Sequence, residues 1–386
     1  MLILGIITGL IILVALVALH ELGHGIVARR NGVVVEEFGI GFPPKAWSKK
    51  IKQSILGKNV LFSFNWLPLG GFVKLKGEHD AADGPGSYGG ATYWQKTKIL
   101  LAGVLVNWLT AVVLLTVISL MGMPKILDDQ FTVAGDTQVI RDPLHVAYIE
   151  NGSPASKAGL KVGDELLRFD GAELTNAKQL AEFTSSHHGQ EIEIIYSRGG
   201  AEYAAHASLR EENKDNKGFL GVSTTQREKL QASWSAPFVG VATTVQFTGA
   251  TLAGTGQVIW DALKGLVQSL SFDENAREAG HRELATVSSS VAGPVGILGV
   301  IFPQAQAAGF EQLLFLTAII SLSLAVMNIL PIPALDGGRW FTMTVFRLLK
   351  KPLTKDIEER IQAIGFLVLM GLVLLVTWAD IGKLVG

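Results

Sequence analysis

The chain contains no cysteine, so disulfides and thiolate zinc sites are excluded, and any metal bound here must be held by histidine, aspartate or glutamate. The same absence leaves the redox compartment unmarked. Charge of one sign is also missing: the net charge is -1 and the pI about 6.7, which gives no general basic footprint for nucleic acid, and none is expected as a partner. From Leu2 to Leu19 there is no charged residue at all. No Lys or Arg precedes that run, whereas a secretory signal peptide opens on a positive region, so the run is expected to be a retained membrane span. What the chain does have is apolar surface. Its 386 residues are 48% hydrophobic with a mean hydropathy of +0.35, too apolar for an ordinary soluble enzyme and fitting membrane spans joined to a soluble part.

Near the end of the first apolar run stands His20-Glu21-Leu22-Gly23-His24, an HExxH sequence. Residues four apart on a helix lie about 40° from each other around the axis, so His20 and His24 can ligate one metal ion from the same face. Imidazole nitrogens suit zinc, and Glu21 beside them can accept a proton from a water that the metal acidifies, which is the chemistry of peptide-bond hydrolysis. HExxH also occurs by chance in unrelated helices. Here two histidines and a glutamate directly following a charge-free run would be costly in lipid unless they served a site.

The first span, roughly Leu2 to Val27, is followed by Arg29, Arg30 and a loop carrying seven lysines from Lys45 to Lys76, which places that loop on the cytoplasmic side. A second run, Ile99 to Met123, returns the chain outward and contains Asn107, which reads either as interhelical glue or as a residue near the site. Leu313 to Leu330 and Ile364 to Trp378 are further spans, and the cations between them, Arg339 to Arg360, place that connection in the cytoplasm too. Parity then leaves Ala236 to Leu270 as one or more amphipathic helices at the outer face, with four spans in all. The expected divisions are 1–125 (two spans and the HExxH motif), 126–225 (a soluble module), 226–310 (an interfacial helical segment) and 311–386 (two spans).

Within the first loop, Val60 to Trp66 and Phe72 to Lys76 flank Pro68-Leu69-Gly70-Gly71 and read as a β-hairpin, while Gly77 to Gly90 reads as a mobile loop. A free strand edge at Val73 could pair with an extended substrate, because a helical peptide bond is inaccessible to hydrolysis until the helix is locally unwound. The module's Gly152-Ser153-Pro154-Ala155, Ala158 to Glu165 and Phe169-Asp170-Gly171 resemble a PDZ domain of the bacterial protease-associated type. His79, His145, His187, His188, His206 and His281 read as ordinary surface residues.

A catalytic zinc site usually has three protein ligands. The third apolar run ends in Asn328-Ile329-Leu330-Pro331-Ile332-Pro333-Ala334-Leu335-Asp336-Gly337-Gly338, and by parity Asp336 comes to the same side of the membrane as the histidines. Alone, Asp336 would read as a helix cap; beside HExxH it is the candidate third ligand. Together with Pro68 through Lys74, Ala102-Gly103 with Asn107, and Gly293-Pro294-Val295-Gly296-Ile297, these motifs resemble the site-2 protease family of zinc intramembrane metalloproteases, in its bacterial RseP-like form, over nearly the whole chain. The resemblance implies zinc bound by His20, His24 and Asp336, Glu21 as general base, Asn328 by the substrate or developing oxyanion, and Asn107 near the substrate. It implies a multi-pass protein of the bacterial inner membrane with the PDZ-like module extracytoplasmic. The implied substrates are single-span membrane proteins such as an anti-sigma factor, or signal-peptide remnants. One departure is that a single PDZ-like module is present where some relatives carry two. The fold class is thus a polytopic α-helical membrane protein of four spans with a membrane-associated β-hairpin or sheet and one inserted PDZ-like α/β domain. Competing readings are a membrane-tethered zinc protease acting on soluble chains and a non-catalytic PDZ adaptor in the membrane.

Overall fold

A computed structural model describes residues 2–78, 84–213 and 217–385. The chain forms two units: Met1–Ile118 with Pro237–Gly386, and the inserted Ser119–Ala236. In the first unit, α1 (Leu2–Arg30) follows from an unbroken apolar run without proline; Arg29 and Arg30 sit in its last turn, where cations complement the helix dipole. Gly32, at φ 84°, takes the left-handed turn that ends it.

Next come two long strands, β1 (Val35–Ser54) and β2 (Gly57–Leu75), each of which folds across the other. Residues 45–54 pair antiparallel with residues 57–65, as in Trp47 opposite Phe64 and Ile51 opposite Val60. Residues 37–40 then run beside 61–64 in the same direction (Phe38 opposite Phe62, Ile40 opposite Phe64) and antiparallel to 71–74 (Phe38 opposite Val73). The expected hairpin is therefore corrected. Val60 to Trp66 and Phe72 to Leu75 are both strand, with Lys76 in the turn that follows, but residues 37–40 lie between them and the second is left at the edge. The inner face packs Phe38, Leu56, Val60 and Val73 into a core with Ala28 of α1, whereas Phe42, Trp47, Phe64 and Trp66 are exposed.

The mobile-loop reading of Gly77 to Gly90 is also corrected for its described part; residues 79–83, with His79, lie outside the described residues. Tyr88 is buried, its N–H donates to Lys76 O at 2.8 Å, and its ring lies 4.8 Å from the Arg339 guanidinium. The second long helix, α2 (Tyr93–Met121), begins six residues before its apolar run because Thr92 and Gln95 form a capping box. It approaches α1 closely: a Cβ on Gly23 would lie 2.8 Å from Val106 and 2.9 Å from the Ala102 carbonyl oxygen.

The inserted unit contains β3 (Met123–Pro124), β4 (Gln138–Arg141), β5 (Leu144–Ile149), α3 (Pro154–Lys157), β6 (Glu165–Phe169), β7 (Ala172–Glu173), α4 (Ala177–Ser186), β8 (Glu191–Arg198), β9 (Ala201–Ser208), β10 (Val222–Thr225) and β11 (Glu228–Gln231). An antiparallel sheet in the order β10-β5-β6-β8-β9 closes over Leu166, Phe169, Ile192 and Ile194, and α4 adds Leu180 to the same core. Ser153 caps α3 and Pro154 opens it. A separate sheet, β3-β11-β4, carries Glu228 between Lys125 (2.8 Å) and Arg141 (2.7 Å).

Returning to the first unit, α5 (Ala236–Ser269) is one helix of 34 residues, followed by α6 (Glu274–Ser290), α7 (Pro294–Gly296), a π-helical turn at Ile297–Ile301, and α8 (Phe302–Ala307). The segment Ala236 to Leu270, expected as one or more amphipathic helices, is nearly all α5, and its first half is packed inside the unit. Thr243, Thr244 and Phe247 are buried, Thr248 accepts from Trp108 Nε1 at 3.1 Å, and Phe247 packs edge-on against Phe315. The first half thus stands against α2 and against α9 (Phe310–Ile329), while Trp260, Leu263 and Val267 farther along are exposed. After α9 come α10 (Asp336–Leu348) and α11 (Lys355–Val385). Among the described residues, four helices are long and apolar enough to cross a bilayer: Leu2–Arg30, Tyr93–Met121, Phe310–Ile329 and Lys355–Gly382.

Candidate metal centre

Two turns of α1 put His20 and His24 on one face, and the start of α10 brings Asp336 to them across 316 residues of sequence. His20 Nε2 lies 3.0 Å from Asp336 Oδ2, His24 Nε2 lies 3.2 Å from the same oxygen, and the two Nε2 atoms are 3.1 Å apart. Zinc bonds of about 2.0 Å at tetrahedral angles separate ligand atoms by about 3.3 Å, so this triangle fits one ion of that size. Both histidines are buried.

The ring nitrogens turned away from this point are held by α2. His24 Nδ1–H donates to the Ile99 carbonyl at 2.7 Å, which leaves Nε2 with its lone pair for a metal. His20 Nδ1 meets the Asn107 amide at 3.4 Å, and Asn107 Oδ1 is buried with no partner. With the amide's oxygen and nitrogen exchanged, Oδ1 accepts from His20 Nδ1–H, and His20 Nε2 is likewise free to ligate. Asn107 is 1% exposed, and its side chain stands against His20. Ser321 Oγ donates to the Asn107 carbonyl at 2.8 Å and ties α9 to the same point.

Gly103 is the residue that sequence reasoning quoted without assigning. A Cβ there would lie 2.4 Å from His24 Nε2 and 2.7 Å from His20 Nε2, so only glycine lets α2 pass this close to the imidazoles. The quoted Ala102-Gly103 pair was the available signal. Gly337 and Gly338 have a similar function in the first turn of α10, where a Cβ would fall 2.1 Å from Ile329 O and 1.9 Å from Ile332 O. Pro331 and Pro333 break the helix, and the two glycines allow α10 to fold back over the break. Farther along α10, Arg339 Nε donates to Glu358 Oε1 at 2.9 Å and its guanidinium also bonds the Glu78 carbonyl.

Glu21 lies on the strand-facing side of α1, where its Oε2 accepts from the Val73 N–H at 3.0 Å. The edge expected to be free thus faces the metal centre, and its Val73 donor is already engaged by Glu21. Asn328, in the last turn of α9, is half-buried, and its side-chain amide makes no hydrogen bond to a described residue. Among the described residues, the His20, His24 and Asp336 group is where three potential ligand atoms converge, and His145, His187, His188, His206 and His281 are half-buried or exposed elsewhere.

The sequence model of peptidase family M50 matches residues 8–372. A candidate zinc metalloprotease of Clostridium perfringens is 30% identical over 95% of this chain and 95% of its own. Another from Clostridium acetobutylicum is 28% identical over 95% and 94%. The zinc metalloprotease RasP of Shouchella clausii is 25% identical over 96% of both chains. A solved PDZ domain of an SdrC-like protein from Listeria monocytogenes is similar to 25% of this chain and 94% of its own, at 21% identity and a TM-score of 0.20. With the family's match running from the second turn of α1 into α11, the chain belongs to peptidase family M50, the site-2 protease family of zinc metalloproteases.

Proposed function

We propose that the protein is an intramembrane endopeptidase that hydrolyses a peptide bond in the transmembrane segment of single-span membrane proteins. The observation that carries this is depth. His24 and His20 precede Arg29 by five and nine residues of helix, about 8 and 14 Å along the axis, on a helix apolar enough to span a bilayer. His20, His24 and Asp336 are the residues that would hold zinc, whose Lewis acidity polarises a carbonyl and lowers the pKa of water toward about 7. Glu21 would take a proton from the attacking water on a carboxylate oxygen and pass it to the leaving amide nitrogen. Asn328, with its amide uncommitted, is the proposed hydrogen-bond partner of the extended substrate chain or developing oxyanion, an interaction worth roughly 3 kcal/mol in comparable chemistry.

Substrate pairing at the strand edge is part of the same reading. The N–H of Val73 can donate either to Glu21 or to a substrate carbonyl, so a strand added there releases Glu21 as it arrives. The exposed Trp47, Phe64 and Trp66 suit a sheet lying against lipid at its boundary. We place the protein in a bacterial inner membrane, with the PDZ-like unit outside and the strands on the cytoplasmic side. Anti-sigma factors and signal-peptide remnants are the substrate classes.

Glu21→Gln should abolish cleavage of a single-span substrate in liposomes while leaving bound zinc unchanged. Retained cleavage would remove Glu21 from the chemistry, and cleavage confined to unfolded soluble chains would favour a membrane-tethered protease instead. Val73→Pro removes the edge donor. It should slow cleavage of an intact transmembrane helix more than that of one carrying helix-breaking residues, with zinc retained. Equal loss on both would mean that Val73 only holds Glu21.

A further inference from the structure

Asp336 is the first residue of α10, and no side-chain cap fixes that end of the helix: Leu335 stands at the N-cap, and Pro331 and Pro333 precede it in a broken turn. Support comes instead from the start of α11. Glu358, Gln362 and Gly365 are spaced four and three residues apart, within about 60° of one another around the helix axis, and each meets the chain around Asp336. Glu358 Oε1 accepts from Arg339 Nε at 2.9 Å, three residues beyond the ligand. Gln362 Oε1 accepts from the Ala334 N–H at 2.7 Å, two residues before it. A Cβ on Gly365 would lie 2.4 Å from Pro333 Cβ and 2.5 Å from Pro333 O, so α11 lies directly on the turn.

Ala334 is where this grip matters. The Leu335 N–H donates to Ile332 O at 3.1 Å and closes a turn with Pro333 and Ala334 at its centre, and Ala334 has a φ of 77°. Glycine is the usual residue at that second central position, because a β-carbon is disfavoured in the left-handed region. Relaxing Ala334 to the ordinary helical φ near -63° would rotate the backbone by about 140°. Asp336 stands two residues on, and a ligand oxygen must be held within about 0.5 Å of its place, here 3.0 Å from His20 Nε2 and 3.2 Å from His24 Nε2. The Gln362 amide opposes that rotation. Its Nε2 is buried without a hydrogen-bond partner among the described residues, a cost that a leucine of similar volume would not carry, so the amide contributes the conformation of Ala334 rather than stability. We propose that Gln362, acting with Glu358 and Gly365, is a positioning residue of the metal centre: the start of α11 holds Ala334 left-handed and so sets Asp336 for zinc, without touching metal or substrate. This rests on His20, His24 and Asp336 being the zinc ligands.

The test measures zinc affinity of the full chain in detergent by competition with a chelator, alongside thermal melting of the zinc-free protein. Gln362→Leu removes the acceptor and should weaken zinc binding by roughly 10- to 100-fold, while the zinc-free melting temperature holds or rises. A merely structural residue would do the reverse, lowering the melting temperature and leaving the affinity of the folded protein alone. Adding Ala334→Gly to Gln362→Leu should restore affinity to within about threefold of wild type, because glycine adopts a positive φ without help. Arg360→Gln, on the exposed side of the same helix, should leave affinity unchanged. Equal zinc affinity in wild type and Gln362→Leu overturns the proposal, as does an equal loss in Arg360→Gln or a loss that Ala334→Gly does not reduce. Should Gln362→Leu misfold, Gln362→Asn takes its place with the same outcomes, since it keeps the amide but is one methylene too short to reach Ala334. Wild type that binds zinc no more tightly than His20→Ala refutes the metal centre itself and the proposal with it, whereas zinc binding that is lost in His20→Ala and unchanged in Gln362→Leu overturns the proposal alone.

Discussion

Replacing Gly103 with alanine adds one methyl group in the middle of α2, and its effect can be worked out from the distances around it. The new carbon would stand 2.4 Å from His24 Nε2, 2.6 Å from His20 Cε1 and 2.7 Å from His20 Nε2. Non-bonded heavy atoms come to rest at roughly 3.5 Å, so the imidazoles must retreat by about 1 Å, half the length of a zinc–nitrogen bond of about 2.0 Å. Rotation offers no escape for His24, whose Nδ1–H is committed to the Ile99 carbonyl at 2.7 Å. The helices cannot simply part either, since Gly23 holds α1 against Ala102 one residue away. Zinc affinity should fall by at least about 100-fold, roughly 3 kcal/mol, and proteolysis with it. Alanine is the better helix former by about 1 kcal/mol, so far-ultraviolet circular dichroism should stay helical, which separates loss of the site from loss of the fold. Gly249→Ala, where a Cβ meets nothing within 4 Å, is the matched control. Competition against a zinc chelator measures the effect directly. A Gly103→Ala protein that binds zinc within about threefold of wild type and cleaves at a similar rate would refute the close-approach argument.

Asn107→Leu removes the partner of His20 Nδ1 while keeping the volume, and should lower zinc affinity about 10- to 100-fold in the same competition assay with little change in melting temperature. In the inserted unit, hydrogen bonds from the hydroxyls of Ser233 and Ser235 lower the Asp136 carboxyl from 3.8 to about 2. A depressed carboxylate pKa contributes stability above its unfolded value that is lost as pH falls through the folded one. The stability difference between wild type and Asp136→Asn should therefore be full above pH 4 and vanish between 3.8 and about 2 in thermal melts; a constant difference through that window would count against the bonds. The absence of native cysteine allows orientation to be mapped with single introduced thiols. Ser185→Cys should be labelled by an impermeant maleimide in intact cells and Lys50→Cys only after permeabilisation; the reverse pattern would invert the proposed topology.

The helical repeat alone aligns His20 with His24, because the angle between residues four apart is a property of the backbone and needs no partner. Long apolar runs likewise announce helices able to cross a bilayer, and the charges between them imply the parity that brought Asp336 toward the histidines. What the sequence could not determine is which element stands beside which. Alternation marks Val60 to Trp66 and Phe72 to Lys76 as strands, but a strand's donors and acceptors are the same in every strand, so nothing local says that residues 37–40 slot between them. The described part of Gly77 to Gly90 reads as loose from its glycines, yet Tyr88 is buried there because α10 supplies Arg339 to cover it. Hydropathy averages over a helix and so missed that the first half of α5 has Thr243, Thr244 and Phe247 turned inward against α2 and α9. At the metal centre the division is sharpest. The ligand types could be read from residue chemistry, but the Ile99 carbonyl, the Asn107 amide and the bare Cα of Gly103 act only through the close crossing of α1 and α2, a distance that no spacing along one chain encodes.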